Sequence, residues 1–359
     1  MLLALAACAA PAQTSPPAGS ADARPSASVA ATDEPSTSSP PASASPTPTP
    51  VAWSQLDASG PAAREDHTWT VDPSSATAYL FGGRDGSTVF GDLWAFDLAT
   101  DTWSEVATSG PAPAVRFGHE AAWVDGIGLV IVFGQAGATF FNDLWAFDPT
   151  AAAWRQLPAG GAAPVSRYGS CAAVGPEGRL WISHGFTSDG VRFADTLAYD
   201  FATGDWADET PDGDVPVVRC LHGCWWTDDG TFRLFGGQTT GVTALGDLWE
   251  LTVGDGSAWS RVAEDLPAER NLWARARLEG STAVFGGQAL DSSYLDDLWL
   301  IGDGEGATTE VTPAGPIPAG RAAAELVLDA DRNRLLLFGG RDDSAARDDL
   351  WQLTNLPPG

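Results

Sequence analysis

Six arginines stand in one phase of this chain: Arg64, Arg116, Arg167, Arg219, Arg270 and Arg321. A guanidinium stays charged at any physiological pH and presents a planar fork that fits a carboxylate. The set has two readings. Each arginine could pair with a carboxylate such as the Asp of a recurring Asp-Leu-Trp string, one lock made six times. Alternatively, the six could gather into a cationic mouth for an acidic ligand, with Tyr168, His222 and Arg275 beside them. Perfect repetition favours the lock, because a ligand rarely needs six equivalent cations. Three residues after their arginine come His67, His119 and His222, a type suited to metal binding. Ser170, Trp273 and Ala324 hold that position in the other repeats, so no metal and no cofactor is expected. Asp329, Asp331 and Asn333 resemble the start of a calcium loop without its Gly and distal Glu, and read as a turn.

The elements that position these residues follow from the repeat. Asp-Leu-Trp or its variant begins at Asp92, Asp143, Asp195, Asp247, Asp297 and Asp349, every 50 to 52 residues. Upstream of each, an apolar run closes on Gly: Phe81-Gly82-Gly83, Phe133-Gly134-Gln135, His184-Gly185-Phe186, Phe235-Gly236-Gly237, Phe285-Gly286-Gly287 and Phe338-Gly339-Gly340. Downstream lies a Trp at Trp103, Trp154, Trp206 and Trp259. Four markers in phase over six copies indicate a structural repeat. Each copy reads as four short strands, apolar on both faces, which must stack on a copy of itself. Radial stacking makes a propeller.

These motifs resemble the kelch repeat, with its diglycine after the second strand, aromatic-Asp third strand and Trp in the fourth. The resemblance runs from about Val51 to the C-terminus and implies an all-β, six-bladed kelch-type propeller. The third copy lacks the diglycine and the fifth has Thr308 in place of the Trp. In the kelch pattern the His of R-x-G-H belongs to the fold. After Trp351 too few residues remain for a fourth strand, while Val51-Ala52-Trp53-Ser54-Gln55-Leu56 precedes the first arginine. That segment is expected to complete the last blade and leave no open sheet edge.

The domain layout then reads 1–8, 9–50 and 51–359. Leu5-Ala6-Ala7-Cys8 resembles the lipobox of bacterial lipoproteins, which implies acylation at Cys8. Ala9–Pro50 is Ala, Pro, Ser and Thr almost throughout and is expected to be a disordered tether. The expected location is the cell envelope, lipid-anchored and facing outward, with Cys8 the sole membrane contact. The net charge of −28, with all 19 basic residues arginine, argues against nucleic acid and anionic lipid as partners. Export makes a disulfide plausible, and Cys171 with a cysteine of the neighbouring blade is the better pairing, since Cys220 and Cys224 lie too far apart in one extended strand.

Function reads as binding rather than catalysis. Residues repeated blade by blade are those of a scaffold, whereas active sites break symmetry. Short loops leave no lid. A monomeric module that engages an unidentified protein or glycan is therefore expected. The alternative is a carbohydrate-active enzyme. Resemblance to the six-bladed bacterial sialate mutarotase directs attention to Glu120, Glu325 and Arg275. Resemblance to galactose oxidase directs it to Tyr168 and Cys220, but no second Tyr shares their phase.

Overall fold

A computed structural model describes residues 49–57, 59–262, 267–304 and 307–356. Cys8 and all of the tether before residue 49 lie outside the described residues. Six sheets form the propeller. The first blade contains Thr68–Asp72, Thr77–Phe81, Leu93–Asp97 and Thr102–Glu105, from the channel outward. The inner strands of the next five blades are Glu120–Val124, Cys171–Val174, Gly223–Trp226, Ala274–Leu278 and Ala322–Asp329. The four strands of each blade pair antiparallel, and in blade three the short segment Gly160–Gly161 adds a parallel edge to the outer strand. The turn after each inner strand lies on one face, called here the hairpin face. The Gly-containing loops and the connectors between blades lie on the other, the loop face.

The core is divided among the six interfaces between blades. Between the first and second, Tyr79, Phe81 and Leu93 pack on Leu129, Ile131, Trp145, Phe147 and Trp154. The outer-strand Trp reaches the preceding blade: Trp154 lies 5.2 Å from Phe81 and Trp103 5.2 Å from Phe338, centroid to centroid. In the fifth blade, where Thr308 replaces that Trp, the interface is filled from the inner side. Trp273 sits where three other blades have His, is buried, and lies 5.4 Å from Phe235 and 6.3 Å from Trp225.

Ring closure is as the sequence implies. Ala52–Leu56 pairs with Leu350–Thr354, so Trp53 lies opposite Leu353 and Gln55 opposite Trp351 in the last blade. Trp53 is 3% exposed and meets Phe285 of the fifth blade edge-on at 5.5 Å.

The expected alignment shifts by one residue in two blades. Gly82, Gly236, Gly286 and Gly339 adopt left-handed φ between 64° and 69°, and the residues in their place in blades two and three are Phe133 (φ 65°) and His184 (φ 57°). A Cβ at Gly82 would come 2.6 Å from the Arg116 carbonyl, which shows why Gly suits the position. Phe133 and His184 accept the strained conformation because each ring gains a partner in an interface: Phe133 stacks on Trp206 and His184 meets His222 edge-on.

Removal of residues 51–56 exposes the edge of Leu350–Thr354 and one wall of Phe285. Trp53→Ala alone is expected to cost about 3–5 kcal/mol, measured by denaturant unfolding. An unchanged midpoint in the 51–56 deletion would count against closure by this strand.

Candidate functional site

Each of the six arginines makes the same contacts. Arg116 donates Nη1 and Nη2 to the two oxygens of Asp143 at 2.7 and 3.1 Å, Nη1 again to the Phe133 carbonyl at 2.9 Å, and Nε to the Ala114 carbonyl at 3.0 Å. Arg64, Arg167, Arg219, Arg270 and Arg321 pair likewise with Asp92, Asp195, Asp247, Asp297 and Asp349. All six arginines are at most 2% exposed. The indoles of Trp94, Trp145, Trp249, Trp299 and Trp351 donate to the same aspartates at 2.7 Å. Burial raises the carboxyl pKa of Asp92, Asp143, Asp247, Asp297 and Asp349, but the guanidinium and indole donors outweigh it and hold each below its ordinary value. With charge matched and four of five N–H donors used, these arginines have the contacts of the lock.

Two residues past each arginine the backbone turns left-handed again, at Asp66, Gly118, Gly169, Leu221, Leu272 and Ala323. Their amides form a closed collar. Gly118 N–H donates to Asp66 O, Gly169 to Gly118, Leu221 to Gly169, Leu272 to Leu221, Ala323 to Leu272 and Asp66 to Ala323. The collar rings the loop-face mouth of the channel. Tyr168 lies across Gly118, where a Cβ would meet its ring at 1.7 Å, and its hydroxyl donates to Asp66 at 3.2 Å. Burial and the neighbouring Asp66 push the Tyr168 phenol well above its ordinary pKa. Tyr168 is therefore buried against the collar, at the edge of the space beneath it. Only two of the six collar positions are Gly, so the sequence carried little signal for it.

The histidines are wedges between blades. His67 meets Phe338 at 5.6 Å and His119 meets Phe81 at 5.4 Å, each across a different interface. Burial holds His67, His119 and His222 well below the usual imidazole range and His184 at about 3. Among the described residues no group of three or more His, Cys, Asp or Glu is placed to hold a metal ion. Cys171 is bonded to Cys224, joining the inner strands of blades three and four with Cα atoms 5.7 Å apart, and Cys220 is free and buried.

Beyond the collar the channel is crossed by Glu120 of blade two, Arg275 of blade five and Glu325 of blade six. Toward the hairpin face it opens into a cavity of about 470 Å³ that includes Thr68, Thr70, Trp123 and Leu328 in its wall. Toward the collar the space is about 70 Å³. An Arg275 nitrogen lies 3.7 Å from Glu120 and donates to the Ala172 carbonyl at 3.2 Å. Although 19% of the Glu120 side chain is open to the channel, desolvation raises its pKa to about 7 against the pull of Arg275. Desolvation, opposed by Arg275 and reinforced by Glu120 and Asp66, raises Glu325 to about 8.

A six-sheet ring with a buried Arg–Asp lock in every repeat defines a kelch-type propeller. The chain belongs to the kelch-repeat family: it matches the KLHDC2/KLHL20/DRC7 kelch-repeats domain over residues 47–237 and 209–355. It is 36% identical over 131 residues to acyl-CoA-binding domain-containing protein 5 of Arabidopsis thaliana, covering 36% of this chain and 20% of that protein. It is 30% identical over 200 residues to the Rab9 effector protein with kelch motifs of Xenopus laevis, covering 53% of each. The chain thus spans about half or less of these curated relatives.

Two outcomes are expected. Arg116→Met leaves Asp143 with only the Trp145 indole and the Phe133 carbonyl without its guanidinium donor, and lowers stability by about 3 kcal/mol, measured by chemical denaturation. Stability should also peak in mildly acidic solution. Glu120 and Glu325 bind their protons more tightly folded than unfolded, so their contribution is complete below the ordinary carboxyl pKa and is lost as pH rises through about 7 to 8. The locked aspartates behave oppositely, and their contribution is lost as pH falls below their ordinary value. Thermal melts from pH 3 to 9 read both arms, and Glu325→Gln should flatten the alkaline one.

Proposed function

We propose that this chain is an exported lipoprotein, anchored through Cys8, whose propeller is a binding module for a protein partner. A propeller of this family is a frame for interaction surfaces, and one observation selects the loop face. Among the described residues nine large hydrophobic side chains are exposed, and eight belong to the Gly-containing loops or to the connectors that lead into the next arginine: Val115, Val165, Val191, Val217, Val218, Val242, Leu290 and Ile317. Val253 alone sits in a turn of the opposite face. Exposed apolar residues gathered on one side mark an interaction site. Five of the eight fall on neighbouring loops of blades three to five, and hydrogen bonds join these loops: Thr239 to the Val218 carbonyl at 2.5 Å and Thr243 to the Leu290 carbonyl at 2.8 Å. With a net charge of −28 on the chain, the partner surface that fits is apolar with a basic rim. The Cys171–Cys224 disulfide supports export, because such bonds persist in oxidising compartments.

A photo-crosslinking residue at Val242 is expected to give a discrete adduct in the native envelope, and one at Val253 none. Equal labelling from both positions, or none from Val242, overturns the loop-face reading. Cys8→Ala should abolish incorporation of a fatty-acid analogue and release the protein from the membrane fraction.

A second reading is favoured by Glu120, Arg275 and Glu325, which converge without regard to the repeat. Two carboxyls with raised pKa beside a cation suit proton transfer on a sugar ring, as a carbohydrate-active enzyme requires. A glycan or hexose turnover screen tests it, with Glu325→Gln expected to remove any activity found.

A further inference from the structure

We propose that the channel is a one-sided pocket, entered from the hairpin face, that binds a small carboxylate on Arg275. The inference is independent of the loop-face partner and requires no turnover.

The argument starts from what Arg275 lacks. Each of the six locked arginines has a carboxylate fork at 2.6–3.1 Å. Arg277, two residues on, has Asp303 at 2.8 and 2.9 Å and Asp228 at 2.6 Å. Among the described residues Arg275 has one hydrogen bond, to the Ala172 carbonyl, and its ion pair with Glu120 is long, at 3.7 Å. Arg275 thus lines the cavity on both sides of the belt with no close carboxylate fork of the kind the other arginines have. A guanidinium held in a cleft with open donors takes a planar oxyanion, and a carboxylate matches the fork with two parallel bonds.

Its neighbours reinforce this. Burial favours the neutral forms of Glu120 and Glu325, so the pair offers O–H donors rather than a competing negative charge. The site also breaks the symmetry of its frame. The residue at the place of Arg275 is Trp69, Ala121, Ala172, Cys224 or Leu326 in the other repeats, and Glu at the preceding place occurs only in blades two and six. Nothing in blade-to-blade packing calls for one cation and two carboxyls there.

Shape gives direction and size. About 470 Å³ lies on the hairpin side against about 70 Å³ under the collar, so a ligand enters from the hairpin face and stops at the Glu–Arg–Glu belt. The larger volume suits a molecule of monosaccharide or amino-acid size rather than a polymer threaded through the ring. The Thr70 hydroxyl and the Trp123 indole in the wall provide for its polar and apolar parts.

The test is calorimetric titration of the full chain at pH 6 with benzoate, succinate and glucuronate, each against its neutral counterpart: benzamide, succinamide and glucose. At least one carboxylate is expected to bind with Kd below about 1 mM, and its counterpart not to bind measurably. Arg275→Gln should weaken that binding at least about tenfold with the melting curve still cooperative. Thr70→Trp, which plugs the cavity from the hairpin side and leaves the belt intact, should abolish it, whereas Ala138→Glu on the loop face should not change it. If Arg275→Gln does not fold, the wild-type panel and Thr70→Trp decide. No binding by any of the three carboxylates, equal binding by acid and neutral counterpart, or unaltered affinity in folded Arg275→Gln or Thr70→Trp overturns the proposal.

Discussion

The arginine lock joins each blade to the one before it. Its side chain belongs to its own blade, held by an aspartate and a carbonyl there, while its backbone belongs to the preceding one. Arg116 N–H donates to the Phe90 carbonyl of blade one, and its carbonyl accepts from Gly83 N–H of the same blade. The pattern passes around the ring until Gly340 N–H donates to the Arg64 carbonyl and closes it. A fully buried guanidinium is tolerable only with such complete pairing, since desolvation would otherwise outweigh the attraction. Lysine, with a point charge and no fork, could not serve one carboxylate and two carbonyls in a single plane. Several of the locks are also covered by an aromatic ring, with Arg64, Arg116 and Arg167 lying 4.2–4.3 Å from the centroids of Phe90, Phe141 and Phe193.

Much of this fold was legible because a repeated contact leaves a repeated residue. Arg, Gly, Asp and Trp recur in phase because the same bonds recur, and Trp53 declared its place by lying at the wrong end of the chain. What stayed hidden depends on conformation rather than identity. Phe133 and His184 occupy a glycine's backbone geometry, so matching letters placed the diglycine one residue late in blades two and three. The collar is made of main-chain amides and holds Asp66, Leu221, Leu272 and Ala323 in left-handed φ alongside two glycines, so it leaves almost no trace in residue type. Glu120, Arg275 and Glu325 were visible as candidates, but which of them meet is set by ring closure over 205 residues of chain, from 120 to 325. The cationic mouth could not be told from the lock by spacing alone, because both require the same six positions.

Function and frame separate along the same line. What repeats is spent on holding the ring: six locks, six interfaces and six collar amides. What does not repeat carries the recognition proposed above, in two places, the uneven apolar loops of blades three to five and the polar belt in the channel. The two open on opposite faces, with the collar and Tyr168 between them, so occupancy of one leaves the other accessible.

The closing strand has a consequence for how the molecule opens. An open array of repeats frays from its ends, because its terminal units have one neighbour instead of two. A ring has no terminal unit, and releasing any one of five blades requires two interfaces to part together. The last blade is the exception, since Ala52–Leu56 is joined to Leu350–Thr354 by hydrogen bonds and packing, without a covalent turn. Local unfolding therefore has a preferred door at this seam, where detaching five residues leaves the last blade with three strands and an open edge while the Arg64 contacts still hold it to the first. Buried strand amides of blades two to four lie remote from that door, so the seam and the far side of the ring differ in how readily they open.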